Sequence, residues 1–505
     1  MMSSSNRIFK NTMFLYVQMI IGVIIGLYTS RVILNVLGVN DFGLFNVVAG
    51  VVTMFGIINS AMTSSTSRFL TFEIGKGNEK ELRSIFSNSL SIHLFIAILI
   101  VIISIGFGPW FIKNQMQIDI NRIDAAEFVF YTMLASLFIN IAFVPYGSAI
   151  IAHEKMSIFA VFSIIDSILK LIIVFLIEIL PYDKLKGYGM LLLISQIIIQ
   201  SLYVFYCLFN IPESRITPKY DKNQFNKLLN FAGWSLFGDG AVLLYTQGVN
   251  ILLNIFFGTT VNAARGITVQ VQGMVMRLVG GFQTALNPQI TKSYATNDLK
   301  FMHKLIFSSS KFSFYLLLII TIPLFIETEY LLKIWLGNIP VHTVSFIRFM
   351  LGISLLDSLA NPLVFAAKAT GKIKLYQSIL GTILLLILPT SYVFLKFGYP
   401  PETVYLIHLV FVIIGQFFRV YLLKDMIKLS FKSYFNNIIT PCFYVLLITA
   451  PFTWISQYLF ENSIIKLITI CSVSLVSCIF STYLFGTTKE ERIFLLNKIP
   501  ILNRN

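Results

Sequence analysis

The stretch GLYTSRVILNVLGVNDFG, from Gly26 to Gly43, ends one long apolar run and begins the next, and it carries a cation, Arg31, just before its short loop. Two readings of Arg31 follow from the runs around it. It is a charge escaping to a membrane surface, or the first visible part of a binding site. The rest of the chain decides what kind of molecule the question is asked of.

The chain has 505 residues, 56% hydrophobic and only 12% charged. Soluble globular domains carry about 25% charged residues. Apolar runs long enough to cross hydrocarbon, about 20 residues at a rise of 1.5 Å, recur along its whole length. These features define an integral membrane protein. The net charge of +15 is explained by topology, because cytoplasmic loops collect Lys and Arg. There is no RNA- or DNA-binding motif, and no nucleic-acid partner is expected. The start, MMSSSNRIFKN, is polar and short, and the run after it is longer than a signal core and lacks a small-residue cleavage site. It reads as a retained first span. Cys207, Cys442, Cys471 and Cys478 sit in apolar segments without CxxC spacing, and the five histidines are scattered. Free thiols and no metal are expected.

Fourteen spans fit: 11–35, 42–67, 85–112, 126–152, 156–180, 187–211, 228–258, 262–290, 306–327, 342–367, 376–396, 402–423, 434–457 and 464–486. Span 8, 262–290, is the weakest by hydropathy, since it holds Arg265, Gln270, Gln272, Arg277 and Gln283. Basic loop residues number 25 on one side and 6 on the other. Both termini are therefore expected in the cytoplasm, which an even number of spans satisfies. The expected location is the inner, cytoplasmic membrane of a bacterium.

The halves look related. Sliding the sequence along itself until Leu34 meets Asn254 lays LNVLGVNDFGLFN (Leu34 to Asn46) on NIFFGTTVNAARG (Asn254 to Gly266), so that Gly38 meets Gly258. At nearly the same register, Pro145 in span 4 finds a counterpart in Pro362 of span 10. The expected architecture is all-α and polytopic: a six-helix lobe over 1–212, its repeat over 213–430, and two extra helices with a cytoplasmic tail over 431–505. Six spans per repeat is even, so the repeats are parallel, related by an axis along the membrane normal. The last two spans read as lipid-facing packing helices. The loops leave no room for a soluble domain, so function resides inside the bundle or at its mouths.

A charge at mid-membrane costs several kcal/mol unless it is paired or faces water. Arg31 and Arg265 lie near the outer ends of spans 1 and 8, where a guanidinium can also snorkel to headgroups. Arg265 opens its helix, where the dipole does not favour a cation. Arg277 is deeper, near the middle of span 8, and shares a stripe with Gln270, Gly273 and Thr284. Asp166 and Lys170, four apart in span 5, can pair with each other. Asp357 in span 10 and Asp239 in span 7 are further intramembrane carboxylates. Asp357 can hold a cation or proton, or pair with Arg277 or Lys170. Gln247, Asn250 and Asn254 form a polar stripe on span 7, suited to sugar hydroxyls and equally to interhelical hydrogen bonds. The deep charges lean positive, which favours an anionic ligand.

At this point the chain resembles a known group. The late Arg of span 1, the junction LGVNDFGLFNVVAG, and two six-span lobes with two extra spans are similar to Wzx-type flippases of O-antigen or capsule repeat units. These belong to the multidrug/oligosaccharidyl-lipid/polysaccharide exporter superfamily, and the resemblance covers nearly the whole chain. It implies a transporter rather than an enzyme. The implied cargo is an undecaprenyl-diphosphate-linked oligosaccharide, flipped to the periplasmic leaflet by alternating access, for lipopolysaccharide or other surface polysaccharide. It implies a cationic and polar lumen, for which Arg31, Arg265, Arg277, Lys170, Gln270 and Asn250 are the candidates. Asp357, Asp166 and Asp239 are candidates for ion coupling. No cofactor is implied; coupling would be to H+, Na+ or the membrane potential. Partners would be the polyprenyl-diphosphate-linked oligosaccharide, membrane lipids and the polysaccharide polymerase machinery. The rival within the fold is a multidrug/cation antiporter, which should show an acid-rich cavity. The rival from another class is a membrane-embedded polymerase or glycosyltransferase, which would need larger outer loops and a DxD or nucleotide motif.

Overall fold

In hydrocarbon a backbone must satisfy its own hydrogen bonds, so apolar runs of this length have to be helices or barrel strands. The computed structural model describes residues 4–53, 56–115, 120–179, 181, 183–215, 221–336, 338–460 and 463–496, with no strand among them. The side chain of Arg31 and several others in the first helix lie outside the described residues. Among the described residues eighteen α-helices follow one another: α1 Ser4–Thr53, α2 Gly56–Lys76, α3 Glu79–Gln115, α4 Ile123–Ala142, α5 Val144–Ala152, α6 Met156–Ile179, α7 Lys184–Asn210, α8 Lys222–Ala295, α9 Leu299–Ile326, α10 Thr328–Leu336, α11 Thr343–Thr370, α12 Lys374–Leu385, α13 Ile387–Lys396, α14 Thr403–Ile427, α15 Phe431–Tyr434, α16 Thr440–Ser456, α17 Ile464–Ser481 and α18 Lys489–Leu496.

Among the described residues, eleven helical segments are long and apolar enough to cross a membrane. They correspond to spans 3–7 and 9–14. The described residues of spans 1, 2 and 8 are helical too, within α1, α2 and the second half of α8, and span 8 is the polar one. Span 8 is the one whose polarity was visible in the sequence.

The two matched glycines are where the long helices break. Gly38 has φ 76° and ψ 168°, and Gly258 has φ 78° and ψ −168°. That region is open essentially to glycine alone. The chain thus turns by the same device at both positions that the repeat aligns. The prolines behave less alike. Pro145 lies at the start of α5, just after the interruption at Phe143, whereas Pro362 lies inside an unbroken α11.

The described chain divides into two compact units. Unit 1 comprises Met1–Asp239 with Thr291–Asn297, and unit 2 comprises Gly240–Ile290 with Asp298–Asn505. The division runs through α8, and the last two spans belong to unit 2. In unit 1, Leu70, Ile85, Phe86 and Ile92 pack with Tyr146 and Ile150. In unit 2, Phe346, Met350 and Ile353 pack with Leu253, Val261 and Tyr405. The end of each unit that carries its glycine break is its junction end.

Spans 13 and 14 pack on each other and on α9. Their remaining faces show Phe452, Val476 and Phe480 about 60% exposed or more. Such a surface is stable in lipid and not in water. The short helix α18 closes unit 2 at the opposite end from the junction. Thr488 and Glu491 form a capping box, with the Thr488 N–H donating to Glu491 Oε2 (2.8 Å) and the Glu491 N–H to Thr488 Oγ1 (3.3 Å). The same Glu491 accepts from the buried Lys311 of α9 at 2.8 Å and from Ser308 at 2.6 Å. Burial alone would raise the Glu491 carboxyl; Lys311, Ser308 and the Thr488 N–H together hold the group below its ordinary value.

Candidate functional site

The second half of α8 has two unlike faces. Ala264, Thr268, Val275, Val279 and Gln283 are buried in unit 2. Gly266, Gln270, Gly273, Met274 and Arg277 are exposed. Their spacing places them on one side of the helix. A Cβ added at Gly266, Gly273 or Gly280 would meet no atom within 4 Å. The face is therefore bare, with one guanidinium and one amide standing on it. Arg277 lies about 28 Å along the helix from Gly258 and about 27 Å from Ala295, at 1.5 Å per residue. It is at the middle of the helix, and among the described residues it makes no ion pair.

Arg265 is placed differently. It is 2% exposed, inside unit 2. Its Nε donates to Asn250 Oδ1 and its Nη1 to Tyr405 Oη, both at 3.2 Å. Its guanidinium carbon lies 5.3 Å from the centre of the Tyr405 ring. Arg265 thus ties together α8 on both sides of Gly258 and α14. Asn250 is shared between Arg265 and Gln247 (3.1 Å), so the polar stripe of span 7 serves internal bonding. Gln283 is also internal, bonded to Ser313 Oγ, the Ser358 carbonyl and Asn361. The structure separates Arg277 and Gln270 from Arg265 and Asn250.

Asp166 and Lys170 pair at 2.7 Å on α6. Asp239 is half-buried on α8. Asp357 lies within electrostatic reach of Arg419 on α14. Arg419 was missed by the sequence reading. Its signal was a cation inside the apolar run FVIIGQFFRVYLL, the same signal that marks Arg277. The side chain of Arg31 lies outside the described residues.

A second polar feature sits at the junction ends, on loop residues. In unit 1, Arg122 precedes α4 and grips Asp41 of the LGVNDFG junction with Nε (2.9 Å) and Nη2, while its Nη1 donates to Asp183 at 2.5 Å. Asp183 also caps α7, accepting from the Leu185 and Lys186 N–H groups. Burial would raise its carboxyl; these donors and Arg122 hold it below its ordinary value. In unit 2, His342 precedes α11, and its Nδ1 lies 2.6 Å from Oε1 of Glu402, which precedes α14. Ser345 donates to the same oxygen at 2.8 Å. Here too burial is outweighed, chiefly by His342, and Glu402 is held low.

Solved structures share this fold. The chain is similar to an outward-facing multidrug resistance MATE transporter of the MOP superfamily, at a TM-score of 0.74 and 13% identity, covering 85% of this chain and 96% of that one. It is equally similar to a MOP superfamily transporter from Pyrococcus furiosus described as having a binding pocket of reverse polarity, at 0.74 and 12%, with the same coverage. At these identities the likeness defines the fold, which is that of membrane transporters. The model of the polysaccharide biosynthesis protein family matches residues 8–294, and the chain belongs to that family. It is also similar to the uncharacterized membrane protein EpsK of Bacillus subtilis (strain 168), 21% identical over 284 residues. That match spans 56% of this chain and 56% of EpsK.

Proposed function

We propose that the protein flips a polyprenyl-diphosphate-linked oligosaccharide across the cytoplasmic membrane, with Arg277 as the lumen cation that receives the diphosphate. The observation that carries this reading is the bare face of α8. A mid-helix guanidinium without an acidic partner is costly against hydrocarbon, so this face is suited to water and an anion. Arginine offers several fixed donors to phosphate oxygens. Gln270 and the open glycine positions beside it give hydrogen bonding and room for sugar. The polyprenyl chain would stay in lipid while the head passes. The junction ends would face the periplasm and the termini the cytoplasm, as the basic loops require. Membership of a polysaccharide biosynthesis family supports the class of cargo. An O-antigen or lipopolysaccharide pathway, work alongside a polymerase, and coupling to H+, Na+ or membrane potential belong to the same proposal.

Alternating access would rock one lobe against the other. Arg265 and Asn250 would act as positioning residues, holding the break at Gly258. Asp357 with Arg419, Asp166 with Lys170, and Asp239 are the candidates for sensing an ion. The multidrug/cation reading calls for acid on the open face, and α8 presents a base there.

The test is genetic. Deleting the gene should accumulate lipid-linked oligosaccharide on the cytoplasmic leaflet and remove surface polysaccharide. Unchanged polysaccharide with altered drug tolerance would sink the proposal. In complementation, Arg277→Ala should abolish export while still inserting in the membrane; normal export would remove Arg277 from the site.

A further inference from the structure

The two junction-end clusters occupy matching places in the repeat. In the register that lays Gly38 on Gly258, His342 falls on Arg122, and Glu402 falls one position from Asp183. The base before span 4 or 10 and the acid before span 6 or 12 are thus one feature used twice. The match then fails in two ways. The counterpart of Asp41 in unit 2 is Val261, which is 7% exposed and packed in its core. The counterpart of Phe128 is Arg348. Unit 1 holds two acids on one base; unit 2 holds two bases around one acid.

The corner of unit 2 is also hollow. A cavity of about 620 Å³ is lined by Phe325, His342, Ser345, Arg348, Phe349 and Glu402, together with apolar loop residues. Arg348 Nε donates to the Phe325 carbonyl at 3.1 Å, and its guanidinium carbon is 5.4 Å from the Phe325 ring centre. Among the described residues its two Nη groups have no acidic partner. The Glu402 carboxylate is already taken by His342 and Ser345. The nearby acid Glu327 is paired with Lys466 at 3.0 Å.

We propose that this cavity binds an oxyanion, a carboxylate or phosphate borne on an amphiphilic molecule. Arg348 is the anion-binding residue, since its free fork suits either group. The aromatic and aliphatic walls take the apolar side of the ligand. Two sources carry this chemistry: the headgroup of an anionic phospholipid and an acidic sugar. The site stands independently of the transport proposal.

The test uses the full-length purified protein. Native mass spectrometry counts phosphatidylglycerol retained from vesicles of phosphatidylglycerol and phosphatidylcholine, and calorimetry measures binding of sodium glucuronate. Wild type should hold one of the two probes, and which one identifies the source. Arg348→Gln should weaken that probe at least tenfold, and Arg348→Lys should restore most of it. Val341→Glu places a carboxylate on the exposed lip of the same cavity (Val341 is 67% exposed) and should mimic the loss without touching Arg348 or the fold. Equal binding by wild type, Arg348→Gln and Val341→Glu overturns the proposal, as does failure of wild type to bind either probe.

Discussion

At the junction end of unit 1, one guanidinium serves two carboxylates; at the matching corner of unit 2, two basic side chains stand around one. The first arrangement is closed. Arg122 draws together the span 1–2 junction, the start of span 4 and the start of span 6, and its charge does not depend on pH. The second is open, ties only two of those three places, and uses an imidazole, which can exist uncharged. One repeat has turned the corner into a fastening, and the other has left part of it free for something else.

The comparison breaks most visibly at Arg122. Arg122→Ala leaves Asp41 and Asp183 facing each other without a cation. A loss of about 2–3 kcal/mol is expected for a partly exposed pair of this kind, measured by thermal unfolding in detergent. A variant as stable as wild type would make the triad ornamental. Next come the glycine breaks. Gly38→Ala and Gly258→Ala should each cost about 1–2 kcal/mol, because both positions demand positive φ. A large inequality between them would argue that the two junctions are not one device. His342→Gln should cost less, under about 1 kcal/mol, since an amide still donates to Glu402. A loss as large as that of Arg122→Ala would erase the distinction between the corners.

The smallest effect is that of acid. Asp183 and Glu402 are both held below their ordinary values, so each contributes stability above the ordinary carboxyl range of about 4. That contribution is lost as pH falls through the depressed values. Unfolding temperature should therefore drop below about pH 4, and the Arg122→Ala variant, lacking the partner of Asp183, should show a shallower drop. An unchanged slope would place the acid response elsewhere in the molecule.

The spans, the weak span 8 and the pairing of Gly38 with Gly258 were legible because each depends on local composition or a single shift of register. The Asp166–Lys170 pair was legible for the same reason, since four residues is about one helical turn. The difference between Arg265 and Arg277 was not drawn from the letters, although geometry contains it. Twelve residues at about 100° each put them about 120° apart around α8, and only packing says which direction is covered. The junction corners were illegible. Arg122 lies 81 residues from Asp41 and 61 from Asp183, and loop charges taken singly look like ordinary solvated surface. Arg419 lies inside an apolar run, and no local spacing marks its approach to Asp357 on another helix.

The contact between Lys311 and Glu491 has a bearing on how the chain is made. The two residues are 180 positions apart, and synthesis runs from the N-terminus. The ninth span, with its buried ammonium, is complete long before the carboxylate that neutralises it leaves the ribosome. Unit 2 settles this internal charge only once Glu491 has been made, so a chain stopped before that residue keeps a buried ammonium without its carboxylate.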